Sequence, residues 1–216
     1  MTQISDTSPD WRLAETWYDD NADGFEIATL SLGIPPFLKE FSIRLPAGVP
    51  GGARVCDAGC GAGRDTRWLM DHGFAVSAFD ISAEMVAATR ANCAGRITPR
   101  KLDFRDFDDP PGSYHGIWAL ASLLHLPQPA LEDVLPRLLA SLTPDGVLAF
   151  SVKEGSGARL DELGRPFSYY SAEEISTLAC AALPGPGFTE ARIQSAPSST
   201  GQQRWINLLV TRVPAG

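Results

Sequence analysis

The sequence predicts a single α/β domain with a mostly parallel sheet, helices between the strands and an antiparallel hairpin at the C-terminal end. From residue 53 onward, short apolar runs alternate with stretches of helical length, a pattern typical of βαβ units. The last two apolar runs, 188–196 and 203–213, are separated only by polar residues, so we expect them to pair as antiparallel neighbours. A length of 216 residues suits one domain with one sizeable core.

The helices and strands follow from composition and periodicity along the chain. Residues 1–24 are polar and aromatic and are expected to form a helix or arm, followed by a helical stretch over 25–41 that Pro35 and Pro36 interrupt. A loop at 45–53 leads into the alternating part. The strands predicted there are 53–59, 74–81, 97–104, 115–123 and 147–153, and the helices are 64–73, 82–93, 129–142 and 171–183.

The overall composition excludes several classes of function. The formal net charge of −8 argues against broad nucleic-acid binding, which depends on clustered lysine and arginine. No apolar run approaches the roughly 20 residues needed to span a bilayer, and the N-terminus is polar, so we expect a cytoplasmic protein without a membrane partner. The oligomeric state is not encoded in any recognisable pattern.

The four cysteines do not indicate a metal site or a redox pair. Cys56, Cys60, Cys93 and Cys180 match neither a zinc ribbon nor a C-x-x-C motif. Histidines and carboxylates do not cluster at metal-ligand spacing either, so no metal is expected.

A glycine-rich stretch, VCDAGCGAGRDT at 55–66, follows the first predicted strand and precedes a helix. Such a loop lies at the carboxyl edge of a parallel sheet, where open α/β folds bind ligands. The lysine of a triphosphate-binding loop is missing. The dinucleotide fingerprint also fits poorly, because counting from Gly59 the sixth position is Arg64 instead of glycine. The spacing is G-x-G-x-G, and Asp57 precedes it by two residues.

Two further acidic residues end the next two predicted strands. Asp80 lies 21 residues after Gly59, where an acid that binds ribose hydroxyls is expected in nucleotide cofactor sites. Asp103 ends the following strand in the segment KLDF. Together with Asp57, these residues predict a nucleotide-type cofactor site at one edge of the sheet, and Asp80 alone does not distinguish between cofactors that contain ribose.

The segments VCDAGCGAG, AFDIS, KLDF, GIWALASLLH and LTPDGVLAF resemble class I S-adenosylmethionine-dependent methyltransferases. The resemblance covers about residues 16–213 and includes uncharacterised bacterial members and the tellurite-resistance-like group of the small-molecule branch. It implies a Rossmann-like fold with a seven-stranded, mostly parallel sheet and helices on both faces. It also implies direct displacement of the methyl group by a small-molecule acceptor, leaving S-adenosylhomocysteine.

The resemblance also implies a set of site residues and a division of the domain 1–216. Residues 1–45 would be a helical arm, 53–153 the cofactor-binding core, and 154–216 a substrate-side loop, helix and hairpin. The cofactor-binding residues would be Tyr18, Asp57, Gly59, Gly61, Gly63, Arg64, Asp80, Ile81, Asp103, Phe104 and Ala119.

A second motif, DDPPGSY at 108–114, is similar to the D-P-P-Y motif of nucleic-acid methyltransferases but lies before the fourth strand instead of after it. We therefore predict a turn there.

His125 follows the fourth predicted strand and is the candidate general base for an acceptor that arrives protonated. The alternative is a histidine that caps or packs against the next helix. The long segment 153–171 after the fifth strand offers candidate substrate residues, and the alternative there is a solvated surface hairpin. These candidates are Lys153, Arg159, Arg165, Tyr169 and Tyr170.

Two other functions stay open on the sequence. One is an NAD(P)-dependent oxidoreductase, against which the missing third glycine counts. The other is a non-catalytic, cofactor-binding regulatory module with the same fold.

Overall fold

The computed structural model describes residues 9–182, 188–197 and 203–212, and for 188–197 and residue 212 it describes the backbone only. The described chain is an α/β domain, as predicted. Its helices are α1 (Arg12–Asp20), α2 (Ala22–Ser31), α3 (Pro36–Ser42), α4 (Arg64–Asp71), α5 (Ala83–Asn92), α6 (Gln128–Ala140) and α7 (Ala172–Ala181). Its strands are β1 (Arg54–Ala58), β2 (Ala75–Asp80), β3 (Arg100–Lys101), β4 (Tyr114–Ala119), β5 (Leu142–Glu154), β6 (Ala158–Leu160), β7 (Pro166–Tyr170), β8 (Phe188–Pro197) and β9 (Arg204–Arg212).

The main sheet runs β3-β2-β1-β4-β5-β9-β8. β1 pairs in parallel with both β2 and β4, with Val55 beside Val76 on one side and Gly116 on the other. β9 runs antiparallel to both β5 and β8. This confirms the predicted mostly parallel sheet with an antiparallel C-terminal hairpin. The arrangement brings the carboxyl ends of β1, β2 and β4 together at one edge.

Two predicted strands are shorter than expected, for local reasons. The third strand is only Arg100–Lys101, because Asp103 accepts a hydrogen bond from the backbone N–H of Arg105 and begins a 3-10 helix at Phe104–Asp106. The fourth ends at Ala119, and Ala121 takes a left-handed φ of 52° before a second 3-10 helix at Leu123–His125.

The segment predicted as a long loop after β5 is largely ordered into a hairpin. β6 and β7 pair antiparallel, and the end of β7 pairs in parallel with Lys153 and Glu154 of β5. The N-terminal region also divides more finely than expected, into α1, α2 and α3, with Pro36 at the first turn of α3. Residue 183 of the predicted seventh helix and residue 213 of the last predicted strand lie outside the described residues.

Helices cover both faces of the sheet, as predicted. On one face, α6 and α7 pack on the sheet in a core that includes Phe150 and Ile175. On the other face, α3 packs against β4 in a core centred on Phe41 and Trp118. The close contact depends on Gly116, because a Cβ there would lie 2.6 Å from atoms of both Phe41 and Leu45. Within the described residues, no helix has the length and apolar character to cross a membrane.

Candidate functional site

A cavity of about 400 Å³ opens at the carboxyl edge of β1, β2 and β4. One wall comes from the glycine loop and the strand ends, and the opposite wall comes from α1, α2, β7 and β9. The first group includes Asp57, Gly59, Gly61, Asp80, Ile81, Asp103 and Phe104, and the second includes Trp11, Tyr18, Phe25, Phe167 and Trp205.

The glycine loop turns tightly out of β1 because its glycines adopt left-handed backbone conformations. The N–H groups of Gly59 and Cys60 both donate to the Phe79 carbonyl, at 2.8 and 3.0 Å. A Cβ on Gly59 would lie 2.3 Å from the Cβ of Ser122, so only glycine fits between β1 and the segment after β4. Gly61, with φ 53°, faces the cavity.

Asp57 is buried at the end of β1 and faces the cavity. One of its oxygens accepts a hydrogen bond from the Thr66 hydroxyl. Burial and the neighbouring Asp65 carboxylate raise the pKa of Asp57 to about 8. The Thr66 hydrogen bond and the charge of Arg64 lower this pKa, but by less than burial raises it. A buried carboxylate with a raised pKa is stabilised in its charged form by a cation placed beside it.

Asp80 ends β2 with one backbone donor on each carboxylate oxygen. Oδ2 accepts from the Gly61 N–H at 2.9 Å, and Oδ1 accepts from the Ser82 N–H at 3.0 Å. The side chain is only 8% exposed, and burial raises its pKa. Each oxygen keeps an unused lone pair, so the carboxylate can accept two further hydrogen bonds from a pair of neighbouring hydroxyls.

Asp103 and Phe104 both line the cavity, but the Asp103 carboxylate is already engaged. Arg105 binds it through its guanidinium and its backbone N–H. Burial opposes ionisation of Asp103, yet the Arg105 hydrogen bonds lower its pKa. The Phe104 ring packs edge-to-face on Phe79, with 5.0 Å between ring centroids, and presents an aromatic surface to the cavity.

Arg64 forms a nearly buried ion pair in the wall of the cavity. Its guanidinium donates two hydrogen bonds to Asp65, at 2.7 and 3.0 Å, and the Trp118 indole N–H donates to the same carboxylate at 3.0 Å. Trp118 is therefore both a core residue and part of the site.

Tyr18 and His125 are joined across the cavity, 107 positions apart in the chain. His125 Nδ1 lies 2.8 Å from the Pro166 carbonyl, which only accepts, so Nδ1 carries the proton. Nε2 is then unprotonated and accepts a hydrogen bond from the Tyr18 hydroxyl at 3.0 Å. Burial lowers the pKa of His125 to about 4 and raises that of Tyr18 to about 12, so both groups are neutral near pH 7.

Five of the predicted site residues do not line this cavity. Ala119 is fully buried in the α6 side of the core, and the cavity meets the residues that follow it, Leu120 to Ser122. Gly63 packs against α5, where a Cβ would lie 2.9 Å from the Cα of Thr89.

The other three belong to the β6–β7 hairpin. Tyr169 and Tyr170 are buried in the core, because pairing of β7 with β5 and β6 removes them from the predicted open loop. Arg159 is exposed and stacks on the outer side of Tyr169, with its guanidinium 3.5 Å from the ring centroid. Lys153, Arg165 and Phe167 are the members of this region that do line the cavity.

Several aromatic residues of the site were not predicted from the sequence. Trp11 directly precedes α1, Phe25 lies in α2, and Phe167 and Trp205 lie on β7 and β9. The aromatic content of the N-terminal 25 residues was a usable signal for the first two. No signal in the sequence distinguishes Trp205 from an ordinary residue of the C-terminal hairpin.

A comparison with protein families matches residues 55–146 to the family described as "Methyltransferase domain". Among curated proteins, the chain is 32% identical over 105 residues to magnesium protoporphyrin IX methyltransferase of Arabidopsis thaliana. That match spans 47% of this chain and 34% of the relative, so the chain covers about a third of the relative's length.

Solved structures share the fold over nearly the whole chain. The 1,6-didemethyltoxoflavin-N1-methyltransferase of Burkholderia thailandensis, with S-adenosylhomocysteine bound, superimposes with a TM-score of 0.69 at 24% identity. The alignment covers 94% of this chain and 88% of that one. The (4+2)-cyclase SpnF superimposes with a TM-score of 0.72 at 18% identity, covering 97% and 98%. At these identities the likeness shows the fold alone, and the presence of a cyclase among the neighbours means that the fold does not by itself determine the activity.

Proposed function

We propose that this chain, which contains a class I S-adenosylmethionine-dependent methyltransferase domain, transfers the methyl group of that cofactor to a small molecule. The observation that carries the proposal is the position of three carboxylates. Asp57 and Asp80 lie at the ends of β1 and β2, Asp103 follows β3, and all three border one cavity beside a loop shaped by three glycines.

The cavity residues fit the chemical groups of this cofactor. Asp57 offers a buried negative charge for the amino group of the methionine moiety, and Arg64 lies beside it as the candidate for the carboxylate. Asp80 can accept from both ribose hydroxyls, with Ile81 next to it. Phe104 offers a ring surface to the adenine. Asp103 serves this site through its ion pair with Arg105, which also borders the cavity.

A bound S-adenosylmethionine supplies an electrophilic methyl group whose leaving group is a neutral thioether. The protein then has to align the acceptor atom with that methyl group and exclude water. Aromatic side chains from the N-terminal region and from β7 border the cavity and can exclude water from it. They include Trp11, Phe25 and Phe167. We propose that residues 1–45 act as this cap, that 53–153 hold the cofactor and that 154–216 contribute the acceptor side.

Tyr18 and His125 are the proposed pair that handles the acceptor's proton. The Tyr18 oxygen can accept a hydrogen bond from an acceptor hydroxyl, thiol or amine while it donates to His125 Nε2. As the acceptor attacks, its proton moves to Tyr18 and the Tyr18 proton moves to His125 Nε2. Because Nδ1 is held by the Pro166 carbonyl, the imidazolium that forms keeps its orientation.

The small-molecule character of the acceptor rests on the site and on the relatives. The Arabidopsis and Burkholderia proteins are named for small-molecule substrates. Residues of α1, α2 and β7 border the cavity together with the glycine loop, which favours a compact acceptor.

A screen for methyl transfer tests the proposal. The purified protein is incubated with S-adenosylmethionine labelled in its methyl group and with fractionated bacterial metabolites, and labelled products are identified by mass spectrometry. We expect one labelled small molecule and an equal amount of S-adenosylhomocysteine, and much less of both with Asp80→Ala when the cofactor is held near the dissociation constant of the wild type. Binding of the cofactor without transfer to any fraction would favour a regulatory module, and binding of NADH in its place would favour an oxidoreductase.

A further inference from the structure

Lys153 places a positive charge in the cavity wall beside aromatic rings. Its ammonium lies 3.3 Å from the centroid of the Phe167 ring and 6.0 Å from that of Trp205. Among the described residues, no carboxylate lies within 4.0 Å of this ammonium. Burial and the neighbouring Arg165 lower the pKa of Lys153 to about 8, so it is mostly protonated at pH 7.

The other charged groups near Lys153 are already balanced or lie outside the cavity. Arg165 is held by Asp161 through two guanidinium hydrogen bonds, at 2.9 and 2.7 Å, and lies over the Trp17 ring. Arg159 is exposed on the far side of Tyr169. His125 and Tyr18 are neutral. The acceptor side therefore carries one unbalanced positive charge.

The surroundings of this charge are aromatic. Lys153 and His125 pack against the same Phe167 ring, and the His125 ring lies 4.6 Å from it between centroids. Trp205 and Trp11 are partly exposed and border the cavity, and their rings offer flat surfaces of the kind that cover a planar molecule. A half-buried ammonium bordered by rings is stabilised most by a monoanion, because a dianion would leave excess negative charge in the same apolar surroundings.

We infer that the acceptor is a planar, aromatic or conjugated monocarboxylate, with Lys153 pairing with its carboxylate and the ring lying along Trp205. This inference rests on the proposed methyl transfer. Lys153 binds the carboxylate and takes no part in the transfer. The atom that receives the methyl group belongs to a different group of the same molecule, which lies nearer Tyr18. A carboxylate at Lys153 forms a hydrogen-bonded ion pair in which both donor and acceptor are charged.

The test uses two probes that differ only in charge, 6-hydroxy-2-naphthoate and 6-hydroxy-2-naphthamide. Each is titrated by calorimetry into the full chain saturated with S-adenosylhomocysteine. A hydrogen bond to a charged group contributes about 1.5–3 kcal/mol, so we expect the acid to bind at least about tenfold more tightly than the amide. Lys153→Met should bring the ratio near one, and Lys153→Arg should retain most of it.

Arg159→Met is the matched control, because it removes a cation that also stacks on an aromatic ring but lies outside the cavity. It should leave the ratio unchanged. Equal binding of the two probes, no binding of the acid, or a ratio that survives Lys153→Met in a protein with an unchanged melting temperature would overturn the inference. Before the probes are added, S-adenosylhomocysteine itself is titrated into the chain, and its failure to bind would instead overturn the proposed function.

Discussion

The hydroxyl of Tyr18 lies 3.0 Å from Nε2 of His125, which ties the N-terminal helix α1 to the segment after β4 across the mouth of the cavity. Two other contacts hold the same helix from the opposite side. Asp19 accepts from the Ser82 hydroxyl at 2.6 Å, and Glu15 pairs with Lys101 at 2.8 Å. The helix that supplies Tyr18 is therefore held in place at both sides of the site.

The Tyr18–His125 hydrogen bond should be measurable as a coupling energy. In a double-mutant cycle with Tyr18→Phe and His125→Phe, we expect a coupling of about 0.5–1.5 kcal/mol in the free energy of unfolding by urea. The pair Tyr18→Phe and His72→Phe is the control. His72 follows the C-terminal end of α4 and stacks on Trp68, so it has no contact with Tyr18 to lose. A coupling no larger than that of the control pair would show that the contact does not form in solution.

Asp80→Ala should weaken the binding of S-adenosylhomocysteine about 10- to 100-fold, because each lost hydrogen bond to the carboxylate contributes about 1.5–3 kcal/mol without full additivity. Calorimetry gives the dissociation constant, and circular dichroism checks the fold. Asp71→Ala removes an exposed aspartate that pairs only with Arg96 and should leave binding unchanged. A folded Asp80→Ala protein that binds as tightly as the wild type would show that Asp80 does not contact the ribose.

Binding of S-adenosylhomocysteine should strengthen with pH between 6 and 8. In the free protein the pKa of Asp57 is raised to about 8, so the carboxyl is mostly protonated at pH 7. A cation bound beside it favours the charged form and lowers that pKa, so binding releases a proton and the affinity rises by up to about tenfold per pH unit. Calorimetry in two buffers with different ionisation enthalpies counts the protons, and Asp57→Asn should abolish the release. Proton uptake, or release that persists in Asp57→Asn, would contradict the role of Asp57.

Gly59→Ala should be more destabilising than Gly73→Ala. Both glycines have a left-handed φ, 77° and 84°, so each substitution carries a backbone cost of about 1–2 kcal/mol. At Gly73 a Cβ would meet nothing within 4 Å, whereas at Gly59 it would lie 2.3 Å from Ser122. We expect the steric clash with Ser122 to add about 1–3 kcal/mol to the destabilisation by Gly59→Ala. The measurement is the difference between the two variants in the free energy of unfolding in urea. Equal effects of the two substitutions would mean that the contact between the loop and Ser122 is not tight.

The position of the strand-end residues at the cavity could be predicted because it is fixed by local sequence patterns. Asp57 and Asp80 each end a strand, and parallel strands bring their carboxyl ends together, so their proximity follows from the alternation of strands and helices alone. Phe104, which the family resemblance implied, also borders the cavity.

The acceptor side could not be predicted in the same way, since it depends on contacts between distant segments. Tyr169 and Arg159 lie outside the cavity because β7 pairs with β5 and β6. Trp205, on β9, borders the cavity. Gly63 fits the spacing of the loop but serves the packing of α4 on α5. The bond between Tyr18 and His125 also joins two segments that share no local pattern.

Separate calorimetric titrations of S-adenosylhomocysteine and NADH into the wild-type chain distinguish a methyltransferase from an oxidoreductase. We expect saturable binding of S-adenosylhomocysteine at one site, weakened by Asp80→Ala, and no binding of NADH. Saturable binding of NADH together with no binding of S-adenosylhomocysteine would contradict the proposed function.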